Sequence, residues 1–565
     1  MNTIFQNLSF PGDINYEDNS GQSSPHQEKK KKESWPRGAD FLAATWAFTL
    51  SLHSLLYLPV SILHHGGLVF LLMYTFLLVV MGTPILTVEV FLGQYSGLVV
   101  SRLYRHLCPL LSGVGSGLAM VCLVRGVVAM CVAMMVSKGV VILFYTQQIH
   151  QELLYSAVLN STGTSIDSIG TIDTQLVLAL VCVALCVYVL VAGGAKVVGK
   201  VCLVFTPLCY GLLITLCIRT CMDKDGPQGF LTLISPEWST LSQTTAWLEA
   251  AAHVILSLQV GSGVVSTYAS YNKYSHNIIR DCWVIIIGQV VWVLLSTLLI
   301  FSLLGVAYKE DTRNLKNLTS EHLLLSITGE GVWLGAITLV ESSFTELTFG
   351  WLWAGLFFIL LIIISITSIL GYVEVISNTL LSTRAGWQRL KPLTSLITVL
   401  VLSLISLLLA TQGGIHIFYL IQTYIATWPL LLFTIITIIS SVISHGTSYI
   451  IKDVSSMSRR NMSHTISSHF SVVITTISPI LISVSISIIF VLIDSFYFRQ
   501  VLAGHSTLYP GKTFRNLYRH LVSFSLQTGH YLWAGAYLCY PLLQYLLVLC
   551  GLYLWGLGGG ACGER

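Results

Sequence analysis

The sequence predicts an all-α membrane protein with twelve transmembrane helices, on three observations. Of its 565 residues 54% are hydrophobic and only 10% charged, and mean hydropathy is +0.77, outside the range of soluble globular domains. The apolar residues gather into twelve runs, each near or above the roughly 20 residues that a helix needs to cross a bilayer. Two of those runs are interrupted at mid-depth by small or polar residues, and a helix opens in lipid only beside a cavity or packed protein.

Taken in order, residues 1–34 are polar and end in Lys29 to Lys32, which reads as a disordered cytoplasmic tail without a signal-peptide core. Apolar spans follow at about 39–63, 67–93, 114–146, 174–192, 199–221, 247–271, 281–307, 349–380, 393–411, 414–444, 470–496 and 531–556. They make one twelve-helix domain over 35–556, with a short cytoplasmic tail at 557–565. An even number of spans puts both termini on one side, and the lysine run assigns that side to the cytoplasm. Arg102, Arg105, Lys196, Lys200, Lys273, Arg280, Arg384 to Lys391 and Lys452 to Arg460 then fall in inner loops.

The loop at 147–173 carries no Lys or Arg and holds Asn160-Ser161-Thr162, a glycosylation triplet on the expected outer side, as is Asn317-Leu318-Thr319 in the loop after span seven. Lys512, Arg515 and Arg519 fall on the outside against the charge rule, which long loops follow weakly. The net charge of +4 is small and reads as topology information, not as a nucleic-acid surface. Thirteen cysteines without a CxxC pair indicate neither a metal site nor a disulfide framework. No nucleophile with its base, metal cluster or phosphate loop marks an enzyme.

Span six, AWLEAAAHVILSLQVGSGVVSTYASY, is broken by Gly261-Ser262-Gly263. Half-helix ends and freed carbonyls at such breaks are where secondary transporters hold ions and solutes; the plainer alternative is a glycine face packed on a neighbouring helix. Span one carries Ser51-Leu52-His53-Ser54 at the same depth. Each broken span leads a group of five, the layout of a five-plus-five inverted repeat.

Ser270-Tyr271-Asn272-Lys273 with Arg280-Asp281 after the broken sixth span resembles the ASYNK...RD signature of the neurotransmitter:sodium symporter family, solute carrier family 6. Lys32-Glu33-Ser34-Trp35 with Asp40-Phe41, His65-Gly66-Gly67 with Phe70 and Tyr74, and Gly82, Pro84, Glu89, Gly93 and Gln94 resemble further family motifs in family order. So do Cys108-Pro109, Gly113-Val114-Gly115, Lys196 to Lys200, Phe301 to Gly305 and Gly446 to Met457, so that the resemblance runs from about residue 32 to 556. It implies a plasma-membrane carrier whose centre lies between spans one, three, six and eight. It further implies sodium-driven, often chloride-dependent uptake of amino acids, amines or osmolytes, with a small solute and the lipid bilayer as partners and no organic cofactor.

Carried over by alignment, a second sodium site falls on Ala47, Leu50, Ile364, Thr367 and Ser368. These positions offer five oxygens to a hard cation, although adjacent Thr and Ser in a helix also commonly bond back to the preceding turn. A first sodium site falls on Thr49, Ser54, Ser257 and Gln289, where changed side-chain lengths degrade it. The chloride positions hold His253 and Val293, so the resemblance does not carry chloride dependence over. Tyr57 and Gln422 stand at the outer gate in place of a charged pair, while at the inner gate Lys32 faces Ser382. The pocket positions are Ser51, His53, Arg125, Ala129, Leu256, Gln259 and Ser262, from which a wider, less aromatic pocket is expected. Without an acid at Ser51 a monoamine solute is not expected.

Arg125 lies at mid-membrane, where a guanidinium is costly. It stands in for the first sodium, clamps a carboxylate of the solute, or forms a structural pair with Glu or backbone carbonyls. His53 either relays protons or packs as a hydrogen-bonded residue. Glu89 and Glu374 coincide with family glutamates and are assigned to buried structural bonding. The expected function is sodium-coupled symport of an amino acid or related solute. The alternatives are a non-transporting receptor or scaffold and a sodium-independent carrier with Arg125 as fixed cation.

Overall fold

The computed structural model describes residues 33–107, 113–146, 170–224, 226–307, 339–340, 343–345, 347–382, 390–445 and 447–457. Lys32, Asn160, Asn317, both expected tails, spans eleven and twelve and the basic residues 512–519 lie outside the described residues. Among the described residues the regular elements are helical, with one isolated bridge between Ile172 and Thr411.

Six helices are each long and apolar enough to cross a membrane: Leu68–Ser96, Val114–Thr146, Thr174–Ala192, Gly194–Cys221, Ile278–Ala307 and Gly350–Ser382. The pair Gly38–Thr49 and His53–His64 makes a seventh crossing, bent by 48°. The sixth expected span is two helices, Thr244–Leu258 and Val264–Ala269, and the ninth is Lys391–Leu407. The tenth runs as Gly414–Leu420, a π-helical stretch Ile421–Ala426 and Trp428–His445.

Span two also widens into a π-helical turn, Leu78–Gly82, directly before Pro84. Proline has no N–H to donate into the ladder, and the wider turn absorbs that loss.

Burial sorts the spans into centre and rim. The most apolar stretch of span eight is 83% buried, against 28% for span four and 33% for span five. In span four Leu176, Leu180, Val183 and Val187 face inward, while Leu178, Val181, Leu185 and Val189 are exposed. The two sets interleave at helical spacing, one stripe for the core and one for lipid. Asp173 caps that helix, accepting from the N–H groups of Gln175 and Leu176, and pairs with Lys138 of span three at 2.6 Å. A lysine only 5% exposed inside a membrane helix needs such a partner. Spans three and eight pack along each other for most of their length. They form with the broken spans one and six the buried middle of the bundle.

Candidate functional site

The first span breaks because its ladder stops at Leu50, whose φ −70°, ψ 80° leaves the helical region. The N–H of Leu50 still reaches Trp46 O, but carbonyls beyond it lose their helical donors and are met by side chains from other spans. Gln259 Nε2 donates to Phe48 O at 2.7 Å, and Thr367 Oγ1 lies 3.4 Å from Ala47 O. Ser51 Oγ lies 3.1 Å from both Ser257 O and Ser54 Oγ, tying the first break to the sixth.

The sixth span breaks through left-handed backbone, with φ 54° at Gln259, 79° at Gly261 and 77° at Gly263. Glycine adopts this region freely and other residues rarely do. The freed N–H of Gly261 donates to Glu89 Oε1 of span two, and Ser266 Oγ donates to Glu89 O. Glu89 therefore caps the opened segment, the buried bonding expected of it.

Arg125 sits at the meeting point. Its Nε donates to Tyr372 Oη at 3.0 Å, Nη1 to Ala426 O at 3.2 Å and Nη2 to Gln259 Oε1 at 3.3 Å. Tyr372 also donates to Gln259 Oε1. One guanidinium thus joins spans three, six, eight and ten through neutral acceptors, and among the described residues it forms no salt bridge with a carboxylate. Of the structural pairings expected, the backbone carbonyl is present and Glu is replaced by Tyr and Gln. The sequence reading missed Tyr372, which returns an aromatic ring to the centre, edge-on to Phe48 and beneath Arg125.

At the second sodium position Thr367 Oγ1 lies 2.9 Å from Ile364 O as well as 3.4 Å from Ala47 O. One hydroxyl proton serves two carbonyls, which leaves oxygen lone pairs in excess. Thr367 is 3% and Ser368 6% exposed.

The first-site residues meet through intermediaries, Ser51 Oγ between Ser54 Oγ and Ser257 O, and Tyr74 beside both Ser257 and Gln289. Ser54 Oγ accepts from Trp292 Nε1 and Ser257 Oγ pairs with Tyr74 Oη. Gln289 is fully buried and neither end of its amide has a partner among the described residues.

At the outer-gate positions Gln422 Nε2 donates to Tyr57 Oη, a neutral hydrogen bond in place of an ion pair. Next to it His53 stacks on Tyr57 and its Nε2 lies 2.7 Å from His253 Nδ1. At the opposite end Ser382 bonds Ser101 Oγ at 2.6 Å.

The ionic contact at that end runs through other residues: Lys391 bridges Glu33 and Glu374, and Tyr271 and Asn378 also donate to Glu374. Trp35 Nε1 donates to Tyr268 O and the Trp35 N–H to Tyr271 O, so the segment before span one is fastened there. This end therefore keeps an ionic contact, whereas the Tyr57–Gln422 pair is neutral. Lys391 was hidden in the sequence among the basic residues of a loop.

The loop that carried the sequence resemblance is knit into the same end. Gln94 of span two donates to Tyr274 O and His276 O and accepts from Asn272, while Asp281 takes His276 at 2.6 Å and Arg280 at 2.8 Å.

Among solved structures the chain is similar to MhsT in complex with L-phenylalanine, with a TM-score of 0.65 over 81% of this chain and 100% of that one, at 17% identity. That likeness is one of fold. A dopamine transporter described as sodium-dependent from Bos taurus is 25% identical over 470 residues, 77% of this chain and 66% of its own. A sodium-dependent nutrient amino acid transporter from Drosophila grimshawi is 24% identical over 77% of this chain and 73% of its own. A sodium- and chloride-dependent GABA transporter from Drosophila melanogaster is 24% identical over 80% of this chain and 50% of its own. The chain thus spans between half and three quarters of the length of these relatives. The model of the sodium:neurotransmitter symporter family matches residues 32–156 and 145–513. With two broken helices meeting at a buried polar centre and a family match over most of its length, this chain belongs to the sodium:neurotransmitter symporter family.

Proposed function

We propose that the protein is a secondary active transporter that carries an amino acid or a related small organic solute together with sodium by alternating access. The observation that carries the reading is the juxtaposition of Thr367 Oγ1 with the carbonyls of Ala47 and Ile364. Three oxygens of the five assigned to the second sodium site already lie together where the first span opens, and oxygen donors are what a hard cation takes. The sodium-dependent descriptions of the relatives and the bound amino acid named for MhsT support the same class. Twelve spans in a five-plus-five inverted repeat fill 35–556, between cytoplasmic tails at 1–34 and 557–565, with Asn160 and Asn317 outside the plasma membrane. No enzymatic step is assigned.

The first sodium site is read as degraded, because Ser54 and Gln289 change the side-chain lengths at its positions, and chloride coupling is not assigned. A second reading, a sodium-independent carrier in which Arg125 is the fixed cation, draws on its lack of a carboxylate partner among the described residues. The test is uptake of a radiolabelled amino acid panel into proteoliposomes, with sodium replaced by N-methylglucamine and chloride by gluconate. Sodium-stimulated, chloride-indifferent uptake is expected. Uptake that ignores sodium favours the fixed-cation reading, and no uptake at all favours the receptor or scaffold.

A further inference from the structure

We propose that His65, Glu249 and His253 form a proton-binding site at the end of the bundle opposite Gly38. Glu249 and His253 stand one turn apart on span six, so both project to the same side. Glu249 Oε2 lies 3.4 Å from His65 Nε2, and Glu249 Oε1 lies 3.7 Å from His253 Nε2. His253 also has Ser61 Oγ at 2.8 Å on Nε2 and His53 Nε2 at 2.7 Å on Nδ1.

The hydrogen count asks for a proton. His65 Nδ1 faces Ser61 O at 3.2 Å, and a carbonyl only accepts, so Nδ1 carries the hydrogen. In a neutral ring that leaves a bare lone pair on Nε2 facing a carboxylate oxygen, which is repulsive. A proton placed on Nε2 turns that repulsion into an ion pair. The His53–His253 contact likewise needs a donor on one ring and an acceptor on the other.

The surroundings shape the site. Phe70 stacks on His65 and meets His253 edge-on, so two rings share one apolar wall. The other titratable groups facing it are His64 beside His65, Glu237 packed against Gly66, Tyr57 stacked on His53, and Arg125 beyond His53 towards the centre. The Glu249 side chain is 30% exposed, whereas His65 and His253 are 10% and 9% exposed. The carboxylate is therefore the member of the site that solvent reaches, with the two rings held against it on the buried side. The site is separate from the oxygens assigned to sodium, and it adds a proton as a second ligand to the proposed transporter.

The test uses the purified full-length protein in lipid nanodiscs, with thermal unfolding midpoints followed from pH 5.0 to 8.5. His65→Asn keeps a donor for Ser61 O but cannot take up a proton, and Glu249→Gln removes the charge. The gap between unmutated protein and each variant is expected to widen by about 2 °C or more on the acid side of that range. His276→Gln, which alters the unrelated pair with Asp281, leaves that acid-side gap in place.

A gap that stays flat across pH for both variants overturns the proposal. Should neither variant survive purification, nitrogen NMR of the unmutated protein at pH 5.0 decides. A hydrogen on His65 Nε2 in contact with the Glu249 carboxyl supports the site, and a bare Nε2 overturns it. Because no solute or sodium enters these measurements, failure here is distinct from failure of sodium-coupled uptake.

Discussion

At the scale of single residues, the outcome turns on which side chains supply oxygen and which supply charge. Thr367→Ala removes the hydroxyl shared by Ala47 O and Ile364 O; sodium-stimulated uptake is expected to fall at least tenfold, with folding intact because the methyl occupies less space. Unchanged sodium dependence would remove this residue from the ion's path. Arg125→Gln keeps hydrogen-bonding capacity towards Tyr372 and Gln259 but deletes the charge, so a change in the charge preference of the transported solute is expected while the unfolding midpoint moves little. A variant that loses only stability would mark Arg125 as structural. The positions of Thr367, Arg125 and His53 were legible in the sequence from the family motifs flanking them. What each one touches was not, because Tyr372, His253 and Ala426 lie far along the chain and only the fold brings them near.

At the scale of elements, the breaks were the most legible feature and the reason is local. Gly261 and Gly263 hold left-handed backbone, and a Cβ on Gly261 would stand 2.1 Å from Thr434 Oγ1 and 2.6 Å from Leu430 O. Gly261→Ala therefore combines backbone strain of about 1–3 kcal/mol with a collision against span ten, and it is expected to abolish surface delivery. Gly211→Ala in span five is the matched control. Nothing lies within 4 Å of its Cβ position, and the change is expected to be neutral or stabilising by up to about 1 kcal/mol. Equal effects on fluorescence-detected size-exclusion profiles would contradict this account.

The cap of span four adds a pH dependence. Burial opposes ionisation of Asp173, but Lys138 and the N–H groups of Gln175 and Leu176 outweigh it and hold the carboxyl below its ordinary range. A lowered folded-state value means stability present above the ordinary carboxylate pKa of about 3.9 and lost as pH falls through the folded-state value. The stability gap between unmutated protein and Asp173→Asn, read from unfolding midpoints, is therefore expected to be open at pH 7 and to close on strong acidification.

At the scale of the whole molecule, alternating access requires each end to be held shut by contacts that can be given up, and the two ends are built differently. One end closes on the neutral pair Tyr57 and Gln422. The other closes on Lys391 between Glu33 and Glu374, with Trp35 and Tyr271 sealing beside it. The asymmetry was only half visible in the sequence, since a missing charge can be read from alignment whereas a replacement supplied by a different span cannot.

Lys391→Met leaves Glu33 and Glu374 without their shared cation. Glu374 is only 4% exposed, and removing the partner of a buried charge costs about 3–5 kcal/mol. Glu33, at 30% exposure, can turn to water instead, so the strain falls on the Glu374 side and on Tyr271. The bond from the Trp35 N–H to Tyr271 O should then open more often. Faster amide exchange is expected at Trp35 and through the second half of span six, Val264–Ala269, with no change around Tyr57. Adding Glu374→Gln removes the stranded charge, so the double variant is expected to recover most of the lost stability while the Trp35 end still exchanges quickly. If the single variant exchanges no faster than the unmutated protein, the triad is not what holds that end closed.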